Sequence, residues 1–208
     1  MTTFYFIRHG QTTANTHYIK QGIINDERTH LTETGKRQAE RLAASFDLSG
    51  CAAMLVSPLA RTQETAAILN AKAHLPITLD QRLLEISYGK WDGQNNHELE
   101  RQYPDVYDPV LHDVLPTYVK YATGGETFDA VVARVADFMS GQTETYPDQK
   151  IVVVTHGFTV KAAALAVLQP RDPMSLPEPD NTSVTKITQT ASGAAHLWYY
   201  NQLGAQTD

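Results

Sequence analysis

Apolar and polar positions along this chain fall into short blocks whose period changes several times. The first apolar run, Phe4–Ile7, stops abruptly at Arg8-His9-Gly10, as a buried strand does when it meets a turn. From Thr32 to Phe46, the residues Ala39, Leu42, Ala43 and Phe46 fall at helical spacing, and Thr32 can cap the start. Ala52–Val56 is a second strand candidate. It runs into Ser57-Pro58, read as an N-cap residue and a proline at the first position of a helix reaching to Ala73. Ile77–Leu79 reads as a third, short strand. Residues 87–125 show little periodicity, are rich in tyrosine, and read as short helices and loops over the sheet edge, a lid-like insertion. Phe128, Val131, Val132, Val135, Phe138 and Met139 keep the spacing of an amphipathic helix. Ile151–Val154, all β-branched, is the strongest strand signal and ends at Thr155-His156-Gly157. An alanine-rich helix follows through Leu168, closed by Pro170. Ser183–Thr188 and His196–Tyr200 are two further strand candidates.

Strands alternating with helices predict an α/β fold: a mostly parallel central sheet with helices on both faces. No repeat, low-complexity tract or linker divides the chain, so one domain over residues 1–208 is expected, with 87–125 as the insertion.

Composition narrows the function. Apolar residues make up 42% and charged residues 19%, enough for a packed core. The net charge of −6 argues against a general nucleic-acid binder, which needs a basic face. The single cysteine, Cys51, cannot form an internal disulfide and reads as a buried structural thiol. No metal-ligand spacing stands out, so neither metal nor cofactor is expected. The apolar run at Phe4–Ile7 is too short for a signal-peptide core, and no segment approaches the roughly 20 apolar residues that cross a bilayer. A cytoplasmic protein without membrane or nucleic-acid partners is the expectation.

Three apolar runs share one feature: each turns, at its C-terminal end, into residues suited to phosphate. The first gives Arg8-His9-Gly10, the second Ser57-Pro58 with Arg61 one helical turn on, the third Thr155-His156-Gly157. Ligands of open α/β sheets bind beyond the carboxyl ends of the strands. Neighbouring strands would therefore gather two arginines and two histidines in an otherwise acidic protein. Arginine's planar fork matches phosphate oxygens, and helix N-termini add N–H groups. The chain has neither a P-loop nor a GxGxxG fingerprint. Taken singly, each residue has an ordinary reading: His156 as a hydrogen-bonded structural residue, Arg61 as a solvated helix residue, Glu85 as a surface carboxylate. Their coincidence carries the argument.

At these residues the chain resembles the histidine phosphatase superfamily, in its phosphoglycerate mutase-like branch. Arg8-His9-Gly10-Gln11-Thr12-Thr13-Ala14-Asn15 is similar to that family's signature. Further matches follow in order: Gln21-Gly22, Leu31-Thr32-Glu33-Thr34-Gly35 with Gln38-Ala39, Ser57-Pro58-Leu59-Ala60-Arg61-Thr62, and Leu84-Glu85-Ile86 with Gly89 and Gly93. Gly124-Gly125-Glu126, Val154-Thr155-His156-Gly157 and Asn181-Thr182-Ser183-Val184 complete the series. The resemblance implies that His9 attacks phosphorus and carries the phosphoryl group. It implies that Arg8, Arg61 and His156 surround the phosphate, and that Glu85 gives a proton to the leaving group and takes one from water. Gln11, Thr12, Asn15, Gln21, Gly22, Tyr88 and the Gly157 backbone would contact phosphate or substrate. The implied partner is a small-molecule phosphomonoester.

The chain also departs from the family pattern. Phe158 and Lys161 stand where the family commonly has a small residue and an arginine. Glycolytic mutases that resemble this chain carry a longer basic insertion after the acid, with paired arginines. Here that region holds Lys90, Arg101 and Lys120. So few cations suit a bisphosphate intermediate poorly, and a phosphatase is expected over a mutase. A non-catalytic phospholigand-binding module is the third reading. It has no use for an acid such as Glu85.

Overall fold

Strand β1 (Thr2–Arg8) lengthens the Phe4–Ile7 run at both ends in the computed structural model, which describes residues 1–204. The last four residues of the expected 1–208 domain lie outside the described residues. A one-turn helix, α1 (Thr13–Thr16), follows the first strand. Helix α2 (Glu33–Ser45) begins where the pattern puts it, with the Thr32 hydroxyl accepting from the Gly35 N–H. Then come β2 (Cys51–Val56), α3 (Ala60–Asn70), β3 (Ile77–Leu79) and the short α4 (Asn96–Gln102). The second half contains α5 (Phe128–Thr145), β4 (Lys150–Thr155), α6 (Gly157–Leu168), β5 (Val184–Gln189) and β6 (Ala195–Gln202).

The six strands form one sheet in the order β3-β2-β4-β1-β5-β6. The first four are parallel to one another. β5 runs antiparallel to β1, and β6 antiparallel to β5. Side chains alternate across the pleat, and β1 displays the consequence. Phe4 and Phe6 face Phe138 of α5 and Phe158 and Val160 of α6. Tyr5 and Ile7 face Leu42 of α2, Phe46 just after it, and Ala66 and Leu69 of α3. Each such fully buried side chain stabilises the fold by roughly 1.5–3 kcal/mol, so the two faces together hold the sheet's carboxyl edge in place. Cys51 is buried, and burial pushes its thiol up to about 11, which keeps it unreactive. Among the described residues, no helix is long and apolar enough to cross a membrane.

Two local readings are corrected. Ser57-Pro58 does not open α3. The helix starts at Ala60 after Leu59, which makes no side-chain cap bond, and the Asn25 side chain accepts from the Ala60 N–H instead. Ser57 stays extended because its N–H still pairs with the Val154 carbonyl, and its hydroxyl is committed to His156. The same helix stops at Asn70, short of Ala73, where the Asn70 amide makes two bonds to the Leu75 backbone.

Residues 87–125 do form short helices and loops, built on an aromatic stack. Trp91 stacks on Tyr103 at 5.2 Å, and Tyr103 on Tyr121 at 4.6 Å. Tyr118 leans on Phe128, which meets Phe158 at 4.3 Å. Phe128 opens α5 and Phe158 lies in the first turn of α6. The segment therefore rests at the carboxyl end of β4, beside the predicted site.

Candidate active site

β2, β4 and β1 are consecutive in the sheet, so their three polar ends meet. The ladder even continues past the strands: the His9 N–H donates to the Thr155 carbonyl, at 2.9 Å. Gly10 is needed next, because a Cβ there would lie 2.5 Å from the Gly35 carbonyl oxygen. This close approach presses the loop after β1 onto α2.

A cavity of about 340 Å³ opens over these ends. Eight of the predicted site residues line it: Arg8, His9, Asn15, Gln21, Gly22, Arg61, Glu85 and Tyr88. Gln11, Thr12, His156 and Gly157 do not. The Gln11 side chain accepts from the Thr32 hydroxyl and ties the loop to α2. Thr12 is fully buried; it caps α1 and bonds the side chains of Asn15 and Gln21, so it aims two wall residues. Gly157 is buried at the start of α6, where any Cβ would overlap the Glu178 carboxylate.

His9 is 2% exposed, and its Nδ1 lies 2.7 Å from the Gly10 carbonyl oxygen. A carbonyl only accepts, so Nδ1 carries the proton and Nε2 keeps its lone pair. Burial, then the charges of Arg61 and Arg8, hold the His9 pKa well below the usual histidine range. At neutral pH the ring is uncharged and fixed in one tautomer, with an Nε2 lone pair able to act as a nucleophile.

Arg61 is wholly buried. It donates from Nη2 to the Gly22 carbonyl (2.8 Å), from Nη1 to the Ile24 carbonyl (3.1 Å), and from Nε to His156 Nδ1 (3.1 Å). Guanidinium has five N–H groups, so each terminal nitrogen retains one for an anion. Burial lowers its pKa to about 10, which leaves it charged at neutral pH. Gly22 offers its carbonyl from a left-handed conformation, φ +45°, that favours glycine.

His156 is also fully buried, its ring 5.4 Å from that of His9. Its Nδ1 accepts from Arg61, so Nε2 holds the proton and donates to the Ser57 hydroxyl at 2.7 Å. Both nitrogens are thus engaged. The structure brings His156 against Arg61 rather than to the cavity wall.

Arg8 donates to the Pro179 carbonyl, yet its buried Nε has no partner among the described residues. An orphaned donor at the rim of a cavity suits an incoming anion. Glu85 lines the same cavity. Its carboxylate accepts from the N–H groups of Ile86, Phe158 and Thr159.

Sequence reasoning missed the residue that fixes this glutamate. Arg134 of α5 donates to the carbonyls of Arg82, Leu84 and Glu85 and pairs with Glu126. It also missed Lys20, Asp113 and Glu178, which line the outer cavity. The only signal for Glu178 was its place between two prolines, Pro177 and Pro179.

Residues 4–202 match the family described as histidine phosphatase superfamily (branch 1). The chain is 29% identical over 168 residues to phosphoserine phosphatase 1 of Hydrogenobacter thermophilus, covering 81% of this chain and 77% of that one. It is 31% identical over 160 residues to the adenosylcobalamin/alpha-ribazole phosphatase of Escherichia coli, covering 73% and 72%. Among solved structures it is similar to Bacillus stearothermophilus YhfR, with a TM-score of 0.81 at 29% identity and 97% of each chain covered.

Proposed function

The chain belongs to the histidine phosphatase superfamily, branch 1, and is an enzyme that hydrolyses phosphomonoesters through a phosphohistidine; on that premise we propose that His9 carries the phosphoryl group and Glu85 handles the protons. One observation supports this most strongly. His9 is neutral, with Nδ1 tied to the Gly10 carbonyl and Nε2 free, in a cavity that also holds Arg8, Arg61 and Glu85.

In the proposed cycle the substrate phosphate lies against Arg8, Arg61 and Asn15. The Arg61 hydrogens left over from Gly22, Ile24 and His156 receive its oxygens. His9 Nε2 attacks phosphorus as the ester oxygen leaves, and Glu85, entering the step as the carboxylic acid, gives its proton to that oxygen, which departs as an alcohol. Water then loses a proton to Glu85 and attacks the phosphohistidine, which releases inorganic phosphate. The arginines neutralise the charge of both transition states. His156 and Ser57 serve as a brace for Arg61. Tyr88, Gln21 and Gly22 form the wall around the ester, and 87–125 acts as the cover. The fixed cations of the cavity lining are Arg8, Lys20 and Arg61, and Lys20 is held by Asp113. That is too few for a retained bisphosphate, so hydrolysis is favoured over a mutase cycle.

The relatives named for phosphoserine and for alpha-ribazole differ in the alcohol half of the ester, so phosphomonoester hydrolysis is their common part. Among the described residues, no group of three or more His, Cys, Asp or Glu is arranged to hold a metal. Phosphate release from a panel of phosphomonoesters is therefore expected to persist after exhaustive EDTA treatment. Activity lost to EDTA and restored by magnesium or zinc would contradict the mechanism.

Arg61→Lys keeps a charge but has only three donors for the four tasks that Arg61 performs. The variant is expected to lose about 100-fold in kcat/KM while its circular dichroism stays native. A loss below about threefold would mark Arg61 as peripheral, since a buried bidentate donor is worth far more than that.

A further inference from the structure

We propose that Glu178 determines specificity by receiving a primary ammonium on the alcohol half of the substrate, so that the preferred substrates are phosphomonoesters of amino alcohols. This rests on the hydrolase reading and concerns the part of the ester that leaves.

Glu178 sits in the cavity wall between two prolines, and both neighbours are pinned. The Pro179 carbonyl accepts from Arg8, and the Pro177 carbonyl accepts from the Tyr200 hydroxyl at 2.6 Å. Proline fixes φ, so the carboxylate is presented from a stiff segment. The absence of a side chain at Gly157 makes room for it. Its nearest cation is Arg8, at 3.9 Å, beyond hydrogen-bond range. No described residue donates a hydrogen bond to it, although its side chain is only 22% exposed.

The rest of the outer cavity has its charges matched. Lys20 is paired with Asp113 and lies over the Tyr88 ring at 4.6 Å. Glu85 takes backbone N–H groups. Among the described residues, Glu178 alone faces the cavity as a carboxylate without a donor. The substrate phosphate claims Arg8, its nearest cation. An ammonium on the leaving alcohol would supply both the missing charge and up to three N–H donors. A neutral chain leaves Glu178 unpaired, and an anionic one is repelled.

Burial, then the Asp113 and Glu85 carboxylates, push the Glu178 pKa up to about 7. The groups that face it are Arg8 from β1, Glu85, Tyr88, Lys20 and Asp113 across the cavity, Lys161 of α6 and Tyr200 of β6. Above that pKa it is ionised, so a preference for an ammonium should grow from pH 6 to pH 8.

The test compares kcat/KM for O-phosphoethanolamine and n-propyl phosphate, which have the same length and differ in the terminal charge. At pH 8 the wild type is expected to prefer the ammonium ester by about tenfold or more. The ratio should shrink at pH 6. Glu178→Gln should bring the pH 8 ratio close to one, whereas Glu178→Asp should keep part of the preference. A wild-type ratio near or below one, or a ratio that Glu178→Gln leaves unchanged, overturns the proposal. The pH series on wild type decides the matter even where a variant fails to fold. Turnover of p-nitrophenyl and n-propyl phosphates without any ammonium preference sinks this inference alone. No turnover of any ester sinks the hydrolase reading with it.

Discussion

His9→Ala is expected to lower kcat for every phosphomonoester by at least about 10⁴-fold, because it removes the only nucleophile that the cycle has. The residue is small and sits at a turn, so the fold should survive. Phe4, Phe6 and Ile7, which anchor β1, are untouched. The variant keeps Arg8, Arg61 and Asn15, so it should still bind phosphate or vanadate. Retained anion binding with lost turnover separates loss of chemistry from loss of the site. Turnover within about tenfold of wild type would mean that water attacks the ester directly in a site whose arginines do most of the catalysis. Stopped-flow or steady-state phosphate release measures the loss, and isothermal titration measures the retained binding.

Glu85→Gln is expected to reduce hydrolysis of an alkyl phosphate by about 10³-fold, within the range of general acid–base catalysis. The effect must depend on the leaving group. An alkoxide leaves badly without a proton, whereas nitrophenolate leaves unaided. Phosphoryl transfer from p-nitrophenyl phosphate to His9 should therefore stay fast in the variant. Dephosphorylation by water should slow for both substrates, since the same carboxylate is the base for that step. The informative observation is the pre-steady-state burst. A nitrophenol burst that persists while the alkyl burst disappears fits the assigned role. Equal slowing of both bursts would mean that Glu85 shapes the site without moving a proton. Glutamine's single carbonyl oxygen can still accept from the Ile86 and Thr159 N–H groups that Oε1 takes, and only the Phe158 N–H loses its acceptor, so the local fold should hold. Arg134 grips the carbonyl of residue 85, not its side chain, and continues to position it.

The order of strands and helices was legible because each element carries its own period. Phe4–Ile7 and Ile151–Val154 are apolar at every position because both faces of their strands are buried. The placement of the candidate residues was legible for a related reason: Arg8, His9 and His156 stand at strand ends, Arg61 lies in the first turn of the helix after β2, and neighbouring strands bring them together. Local signals failed where a distant partner decided the outcome. Ser57-Pro58 looks like the start of a helix, but a hydrogen bond to His156, ninety-nine residues away, keeps Ser57 out of it. Arg134 and Glu178 lie 49 residues after and 170 residues after the groups they touch, Glu85 and Arg8, and no periodicity announces such pairs. Residues 87–125 gave no period because aromatic stacking, not a repeating face, orders them.

The central claim is a phosphoryl group on one nitrogen of one histidine. The most direct measurement mixes wild-type protein with a labelled phosphomonoester, quenches it within a turnover, and locates the label by mass spectrometry and ³¹P NMR under alkaline conditions. The account predicts an acid-labile, alkali-stable phosphohistidine at His9, bonded through Nε2 because Nδ1 is held by the Gly10 carbonyl. A phosphoryl group on His156, on Nδ1 of His9 or on a serine, or no covalent label during active turnover, would contradict it.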